Sequence, residues 1–325
     1  MAEMNMVDAL NHALKEEMEK DDRVVIMGED VGRDGGVFRV TVGLLDKFGS
    51  DRVIDTPLSE SGIIGSAIGM AVYGLRPVAE IQFMGFIYYT MNHMINHAAR
   101  IRNRSRGRFT VPMVIRTPYG AGIRAPEHHS ESTEALFTHI PGIKVVVPST
   151  PKEAKGLLIS SIRDPDPVVF LEPTKLYRAI REEVPQGEYT VPLGKARIVR
   201  TGTNVTLICW GAMVRVAESA ADEAEEEGIS VEVIDMRTLL PLDIDAIITS
   251  VKKTGRVVVV HEAPKTCGLG GEITALIQEK ALLHLQAPVA RVTGFDITVP
   301  LPKSEDYYVP SPRRVFLGIR KVMTF

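Results

Sequence analysis

The stretch Val24–Gly32 has the sequence VVIMGEDVG, in which a short apolar run passes directly into a loop of glycines and acidic residues. An apolar run of this length, bounded by turn-forming residues, is typical of a buried β-strand. The loop continues to Gly36 and contains four glycines. Their spacing does not match the GxGxxG of a dinucleotide-binding loop, and no helical pattern begins where the loop ends. A tight structural loop is the interpretation that this spacing favours.

Helical and strand patterns alternate on both sides of this stretch. Apolar residues at helical spacing over 7–18 predict an amphipathic helix. Further helices are predicted over 60–73 with Ser59 as N-cap, over 85–105, and after the capping box TPKE at 150–153. Strands are predicted at 78–83, 111–116, 145–147 and 168–171. Helices alternating with β-branched buried strands predict mainly parallel sheets of the α/β class.

The chain is long enough for about two domains, since it has 325 residues. A proline-containing segment without periodicity interrupts the alternation, and the pattern then resumes. Beyond it, strands are predicted at 205–209, 231–234, 256–260 and 289–292, and helices at 213–224, 243–251 and 269–277. We therefore expect one α/β domain over 1–175, a linker over 176–193 and a second α/β domain over 194–325.

The composition excludes several classes of protein. Apolar residues make up 45% and charged residues 24%, which is the balance of an ordered globular protein. The net charge is −3 and no block of like charge stands out, so no nucleic-acid partner is expected. The first residues lack the pattern of a secretory signal, and no apolar run is long enough to span a membrane. Cys209 and Cys267 form no CxxC and are expected to be buried thiols, so we predict a cytoplasmic protein.

Three groups of polar residues are candidates for chemistry. Glu60 falls in the first turn of a predicted helix, where a carboxylate also simply complements the helix dipole. His129 lies in a polar segment after a predicted strand end, where parallel sheets bind ligands and where an imidazole can act as acid or base. His93 and His97 have the i, i+4 spacing of metal ligands, but no third ligand is evident, and a polar helix face is favoured.

Short motifs in a fixed order link these candidates to one family. They are GEDVG at 28–32, DTPLSE at 55–60, EIQF at 80–83, HS at 129–130, PGIKVV at 141–146, FLEP at 170–173 and HEAP at 261–264. With this order of motifs, the chain resembles the β subunit of the thiamine-diphosphate-dependent decarboxylating component of 2-oxo acid dehydrogenase complexes. The pyruvate and branched-chain enzymes share the pattern.

The resemblance implies a transketolase-like fold, with a pyrimidine-binding domain followed by a transketolase C-terminal domain. It also implies an α2β2 heterotetramer, in which the α subunit holds the cofactor diphosphate through Mg²⁺ with a GDG…NN motif. That motif is missing from this sequence. The cofactor is therefore expected between this chain and an α subunit, and the lipoyl-bearing dihydrolipoyl acyltransferase core is expected to accept the acyl group from a small 2-oxo acid.

Individual site residues follow from the same resemblance. Glu60 matches the glutamate that hydrogen-bonds the aminopyrimidine, and Phe86 matches the aromatic residue that packs on that ring. His129 matches the histidine beside the substrate carboxylate, and Glu29 matches an acidic residue near the cofactor. Leu58, within the DTPLSE motif, is included among the expected cofactor contacts.

Two peripheral sites are also implied. Ser161, Asp164 and Asp166 align with a loop that holds a structural K⁺ in relatives. Asp296 and the C-terminal Phe325 match the region that docks the acyltransferase core.

Some alternatives stay open at this point. The segment around His129 carries Glu127 and Glu131, which are unexpected beside an anionic substrate unless Arg124 or another cation balances them. The residues do not distinguish pyruvate from a branched-chain 2-oxo acid. An acetoin dehydrogenase β subunit, or a non-catalytic assembly subunit of the same fold, would share the motifs. A nicotinamide-dependent oxidoreductase lacks its phosphate-binding fingerprint here.

Overall fold

The computed structural model describes residues 1–325, and the chain divides into two compact units. The first unit combines Met1–Tyr119 with Leu136–Leu193, and the second combines Gly120–Ala135 with Gly194–Phe325. The segment that carries His129 thus belongs with residues far along the chain. Hydrophobic periodicity predicts helices and strands but not the unit in which a loop packs, so the placement of residues 120–135 in the second unit was not predicted.

The first unit is built from alternating strands and helices. They are β1 (Ala2–Met4), α1 (Met6–Lys20), β2 (Val24–Gly28), α2 (Leu44–Phe48), β3 (Val53–Asp55), α3 (Glu60–Tyr73), β4 (Arg76–Glu80), α4 (Met91–His93), α5 (Ile101–Arg104), β5 (Val114–Tyr119), α6 (Glu134–Thr138, which begins within the second unit), β6 (Lys144–Val146), α7 (Pro151–Arg163), β7 (Val168–Pro173) and β8 (Glu182–Val184).

A parallel sheet forms the centre of the first unit, with its strands in the order β6-β7-β5-β4-β2-β3. Strands β2, β5 and β7 are buried along their whole length. Burial on both faces explains why β2 and the first four residues of β7 appear in the sequence as apolar runs rather than alternations, whereas β5 contains Arg116 and Thr117. The predicted linker is not free of structure, because β8 pairs in antiparallel fashion with β1.

The single long helix predicted over 85–105 is wrong. The chain forms a 3₁₀ helix at Met84–Thr90, then α4, a π-helical turn at Met94–Ala98, and α5. Aromatic and β-branched side chains crowd residues 86–90, and such side chains lose rotamer freedom in an α-helix. The hydroxyl of Thr90 also donates to the Ile87 carbonyl (2.6 Å), which stabilises the tighter turn.

The second unit contains a smaller sheet with the strand order β14-β13-β10-β11-β9, parallel except for β9. Its elements are β9 (Arg197–Arg200), β10 (Val205–Cys209), α8 (Met213–Glu226), β11 (Val231–Asp235), β12 (Thr238–Leu240), α9 (Ile244–Thr254), β13 (Val257–His261), α10 (Leu269–Ala281), β14 (Ala290–Thr293), α11 (Glu305–Tyr308) and α12 (Pro312–Met323). The expected helices and parallel strands of this half are confirmed, and α12 is an addition that the sequence analysis missed.

Two further expectations concern exposure. Cys209 is buried as predicted, but Cys267 is exposed, so the expectation of two buried thiols is wrong for Cys267. The reason is local, since Cys267 lies in the loop between β13 and α10, and connecting loops run over the protein surface. No helix has both the length and the apolar character that crossing a membrane requires.

Candidate functional site

The carboxyl ends of three neighbouring strands form the site in the first unit. Strand β2 lies between β3 and β4, and all three run parallel. Glu29 follows β2 directly, the segment after β3 leads to Glu60, and the segment after β4 leads to Gln82. Because parallel strands end at a common edge, these side chains are gathered at the place where α/β sheets bind ligands.

The loop after β2 is held firmly by hydrogen bonds. The Asp55 carboxylate accepts from the backbone amides of Gly32 (2.5 Å) and Arg33 (3.0 Å). The Thr41 hydroxyl donates to the Val31 carbonyl (2.6 Å), and the Gln82 amide donates to the Asp30 carboxylate (3.0 Å). This is the structural loop that the glycine spacing favoured, and these hydrogen bonds hold the residues that follow Glu29.

Glu29 and Glu60 are both buried, with 7% and 8% of their surfaces exposed. Burial raises the pKa of Glu29, and the charges of Glu60 and Asp30 raise it further. Glu60 is the first residue of α3, and its carboxyl makes no hydrogen bond or ion pair within the chain. The structure therefore brings together two predicted site residues as buried carboxyl groups of like charge, which is an arrangement typical of functional sites.

A series of packed aromatic rings begins in the segment after β4 of the same unit. Phe86 is half-buried and meets Phe83 edge to face, with ring centroids 6.0 Å apart. Phe83 in turn meets Phe38 (5.7 Å), and Phe38 meets Tyr177 (4.9 Å). Leu58 is different, because 78% of its surface is exposed. Any contact that shelters Leu58 must therefore come from a bound group or another chain.

A buried ion network at the carboxyl edge of the sheet escaped the sequence analysis. The Arg116 guanidinium donates to both carboxylate oxygens of Glu172 (2.7 and 3.0 Å) and to Glu80 (2.8 Å). The Tyr177 hydroxyl also donates to Glu172 (2.7 Å). Burial is the largest cause of the raised pKa of Glu80. The available signal was a lone arginine inside the apolar strand β5, since a buried charge needs partners.

His129 lies in a 3₁₀ turn, Glu127–His129, within the second unit. The segment is closed at its base, where the Gly120 amide donates to the Glu131 carbonyl (3.0 Å). The Ala121 amide donates to the buried Glu262 carboxylate (3.0 Å), so the HEAP motif anchors the segment. This contact gives the motif a structural purpose that the sequence did not reveal.

Arg124, considered above as a partner for Glu127 and Glu131, forms an exposed ion pair with Asp306 (2.9 Å). This pair lies within the second unit. Because Arg124 pairs with Asp306, it is not the cation that balances Glu127 and Glu131.

The predicted K⁺ loop has its polar side chains engaged by the protein. Both oxygens of Asp164 accept from Lys144 (2.7 and 2.6 Å), and both oxygens of Asp166 accept from Arg102 (2.6 and 2.7 Å). The Ser161 hydroxyl donates to the Leu157 carbonyl (2.7 Å). These side chains offer no open carboxylate to a cation, and nowhere in the chain are three His, Cys, Asp or Glu side chains grouped to hold a metal. The K⁺ site stays a prediction that rests on the resemblance alone.

The predicted docking residues lie in the second unit. The Asp296 carboxylate accepts from the Thr266 amide and hydroxyl (both 2.8 Å), and these hydrogen bonds lower its pKa. Phe325 is 82% exposed. Asp296 is therefore held in a fixed orientation at the surface, and the terminal ring is accessible.

Comparison with known proteins places the chain among proteins built from two transketolase domains. Residues 2–180 match the transketolase pyrimidine-binding domain, and residues 194–315 match the transketolase C-terminal domain. A split-gene transketolase, solved as an inactive beta4 tetramer, superposes with a TM-score of 0.82 over 99% of this chain and 98% of that chain. At 21% identity, this likeness shows the fold, which confirms the predicted transketolase-like α/β architecture.

Sequence relatives define the family more narrowly. The pyruvate dehydrogenase E1 component subunit beta of Acholeplasma laidlawii is 55% identical, over 99% of this chain and 98% of its own length. The protein of the same name from Bacillus subtilis (strain 168) is 53% identical over the full length of both chains. The chain belongs to the family of pyruvate dehydrogenase E1 component β subunits.

Proposed function

We propose that this chain provides the pyrimidine side of a thiamine diphosphate site and, with an α subunit, catalyses the oxidative decarboxylation of pyruvate with transfer of the acyl group to a lipoyl group. The observation that carries the proposal is the buried Glu60 carboxyl, which lacks a partner in the chain and lies beside the buried Glu29. A buried carboxyl without a partner is costly unless a ligand supplies one. The names of the full-length relatives support pyruvate as the 2-oxo acid.

The buried carboxyl groups of this site fit the cofactor. An aminopyrimidine presents ring nitrogens and an amino group, and these are suitable hydrogen-bonding partners for a carboxyl group. Thiamine diphosphate, when bound, supplies the electron-sink chemistry that the loss of CO₂ from a 2-oxo acid requires. We assign to Glu60 the task of holding a proton between its carboxyl and the pyrimidine ring.

The neighbouring residues have supporting roles in this proposal. Phe86, supported edge to face by Phe83, packs on the pyrimidine ring and excludes water from it. Glu29, whose pKa is raised by burial and by Glu60, holds or releases a proton nearer neutral pH than an exposed glutamate does. His129 orients the carboxylate of the 2-oxo acid, and Leu58 becomes covered when the cofactor and α subunit are in place.

The remaining parts of the enzyme come from partners. The chain has no glycine-rich phosphate-binding motif and no cluster of metal-binding side chains. The proposal therefore gives the diphosphate and Mg²⁺ to an α subunit in an α2β2 heterotetramer. The exposed surface near Asp296 and Phe325 is the proposed docking region for the lipoyl-bearing dihydrolipoyl acyltransferase core.

The test is a steady-state assay of this chain with and without its α subunit. Pyruvate, 3-methyl-2-oxobutanoate and acetoin are supplied separately, with the lipoyl domain as acceptor. We expect no turnover by this chain alone, and the highest kcat/KM for pyruvate in the assembly. Full activity without the α subunit, or a preference for acetoin, would contradict the proposal.

A further inference from the structure

Helix α12 presents two faces that differ in how their positive charges are balanced. On one face, Arg313 pairs with Glu223 and Arg320 pairs with Glu227, both partners lying in or next to α8. On the other face, Arg314 and Lys321 border a cavity of about 610 Å³ between α12 and strand β14. The first face is an ordinary ion-paired surface. On the second face, no close carboxylate pairs with Arg314 or Lys321.

Four cationic side chains line this cavity, namely Lys265, Arg291, Arg314 and Lys321. None of them forms a close ion pair with a carboxylate of the chain, although the charge of Lys265 helps to lower the pKa of the Asp296 carboxyl. The acidic side chain in the lining is Asp296, whose carboxylate is already bound by the amide and hydroxyl of Thr266 (both 2.8 Å). The cavity therefore carries a marked excess of positive charge.

The electrostatic effects on nearby groups agree with this excess. Burial lowers the pKa of Arg314, and no carboxylate counteracts it. The pKa of His261 is lowered mainly by burial, and the positive charge of Arg291 lowers it further. An anion in the cavity would relieve both effects, because it would stabilise the charged guanidinium groups.

The two arginines are positioned before any ligand arrives. Arg314 donates to the carbonyls of Thr293 (2.6 Å) and Tyr308 (3.1 Å), and its guanidinium lies 4.6 Å from the Phe295 ring centroid. Arg291 donates to the Lys265 carbonyl (3.0 Å). Each guanidinium keeps further N–H groups for a ligand, and pre-ordered donors lose less entropy on binding.

The backbone completes the cavity. Strand β14 is the last strand at one edge of its sheet, so one side of it has backbone groups that no strand covers. Gly318 allows α12 to lie close to β14, since a Cβ there would come within 2.8 Å of Val292. The result is a concave site with a volume in the range of ordinary small-molecule pockets.

We propose that this cavity binds a small molecule bearing two or more phosphate groups. Guanidinium forks and lysine ammonium groups are the side chains that recognise phosphate, and several of them together match a multivalent anion. A concave cavity lined by four cations suits a compact oligophosphate better than an extended chain. The inference does not depend on the function proposed above.

The experiment is isothermal titration of tripolyphosphate into the αβ assembly already saturated with thiamine diphosphate, with the same free Mg²⁺ in cell and syringe. Filling the cofactor site first prevents the probe from binding there. We expect one tripolyphosphate per copy of this chain, and weaker binding as salt is raised from about 0.05 to about 0.2 M, because screening reduces charge attraction.

Matched variants locate the binding. The double variant Lys265→Gln/Lys321→Gln removes two positive charges from the cavity and is expected to weaken binding about tenfold or more. The variant Arg313→Gln/Arg320→Gln removes two positive charges from the ion-paired face of the same helix and is expected to leave binding within about twofold. Absence of binding to the wild-type assembly, unchanged binding by the lysine variant, or equal weakening by both variants would overturn the proposal.

Discussion

Glu29 and Glu60 are both buried, and the charge of Glu60 raises the pKa of Glu29. No cation of the chain lowers that pKa. Burial is the larger cause and the neighbouring carboxylate adds to it. Such an arrangement destabilises the folded chain on its own, because two buried negative charges repel each other. It becomes favourable when a ligand donates a hydrogen bond or a proton to one of the two carboxyl groups.

Replacing Glu60 with Gln should abolish most activity without weakening the fold. The amide keeps the shape of the side chain but cannot accept and release the proton, so kcat of the assembled enzyme should fall about 10²–10⁴-fold. The melting temperature of the isolated chain should stay equal or rise, since a buried charge is removed. Glu272→Gln is the control, because Glu272 is an exposed acidic residue in the first turn of α10. Retention of full activity by Glu60→Gln would show that the assigned role is wrong.

Glu29 should make the stability of the chain depend on pH. Its pKa is raised from the ordinary 4.5, so above pH 4.5 the folded chain holds this proton more tightly than the unfolded chain does. Stability therefore falls as pH rises from 4.5 through the raised pKa, and Glu29→Gln, which cannot ionise, lacks this fall. We expect the melting temperature of Glu29→Gln to rise relative to that of the wild type over this pH range. Above the raised pKa the difference should stay constant. A difference that is the same at all pH values would contradict the raised pKa.

The sequence predicted the elements of this site better than it predicted their relationships. Strand β2 and helix α3 were expected at their observed positions, because a run of buried apolar residues and a small-residue helix are local signals. The broken helix over 84–104 was missed because side-chain conformational preferences determine where it breaks. Hydrophobic periodicity does not reflect those preferences. The partners of Arg116 lie 36 and 56 residues away in sequence, so only the folded sheet reveals that they meet.

Removing Arg116 should strongly destabilise the protein. Arg116→Met leaves Glu80 and Glu172 buried without their shared cation, and breaking a buried ion pair in this way typically reduces stability by about 3–5 kcal/mol. Arg102→Met is the control, because Arg102 is an exposed arginine whose direct ion pair with Asp166 lies at the surface. Urea unfolding of both variants should show a large shift of midpoint for Arg116→Met and little change for Arg102→Met. Similar midpoints would mean that the network is not a stabilising element of the first unit.

His261 should make the second unit sensitive to acid. Its imidazole is fully buried and stacked on Trp210 (5.3 Å between centroids), and burial lowers its pKa from 6.5 to about 4. Between pH 6.5 and 4 the unfolded chain binds a proton that the folded chain does not, so about 3 kcal/mol of stability is lost as pH falls through this window. His261→Gln should flatten this part of the stability profile, whereas exposed His284→Gln should not. An unchanged slope in the His261 variant would show that the imidazole is not held neutral by burial.

A methyl group at Gly35 should disturb the loop that carries Glu29, and Gly43 provides a closely matched comparison. Both glycines have a left-handed backbone, with φ of 71° and 76°. A Cβ at Gly35 would lie 2.5 Å from a Val42 methyl carbon and 2.8 Å from its Cα, whereas a Cβ at Gly43 would meet nothing within 4 Å. Alanine at either position carries a backbone penalty of about 1–2 kcal/mol, but only alanine at Gly35 must also displace its neighbour. Gly35→Ala should therefore melt at a lower temperature than Gly43→Ala, and calorimetric titration of the αβ assembly should show weaker thiamine diphosphate binding for Gly35→Ala alone. Equal cofactor affinity in the two variants would mean that the position of Glu29 does not depend on the packing of this loop.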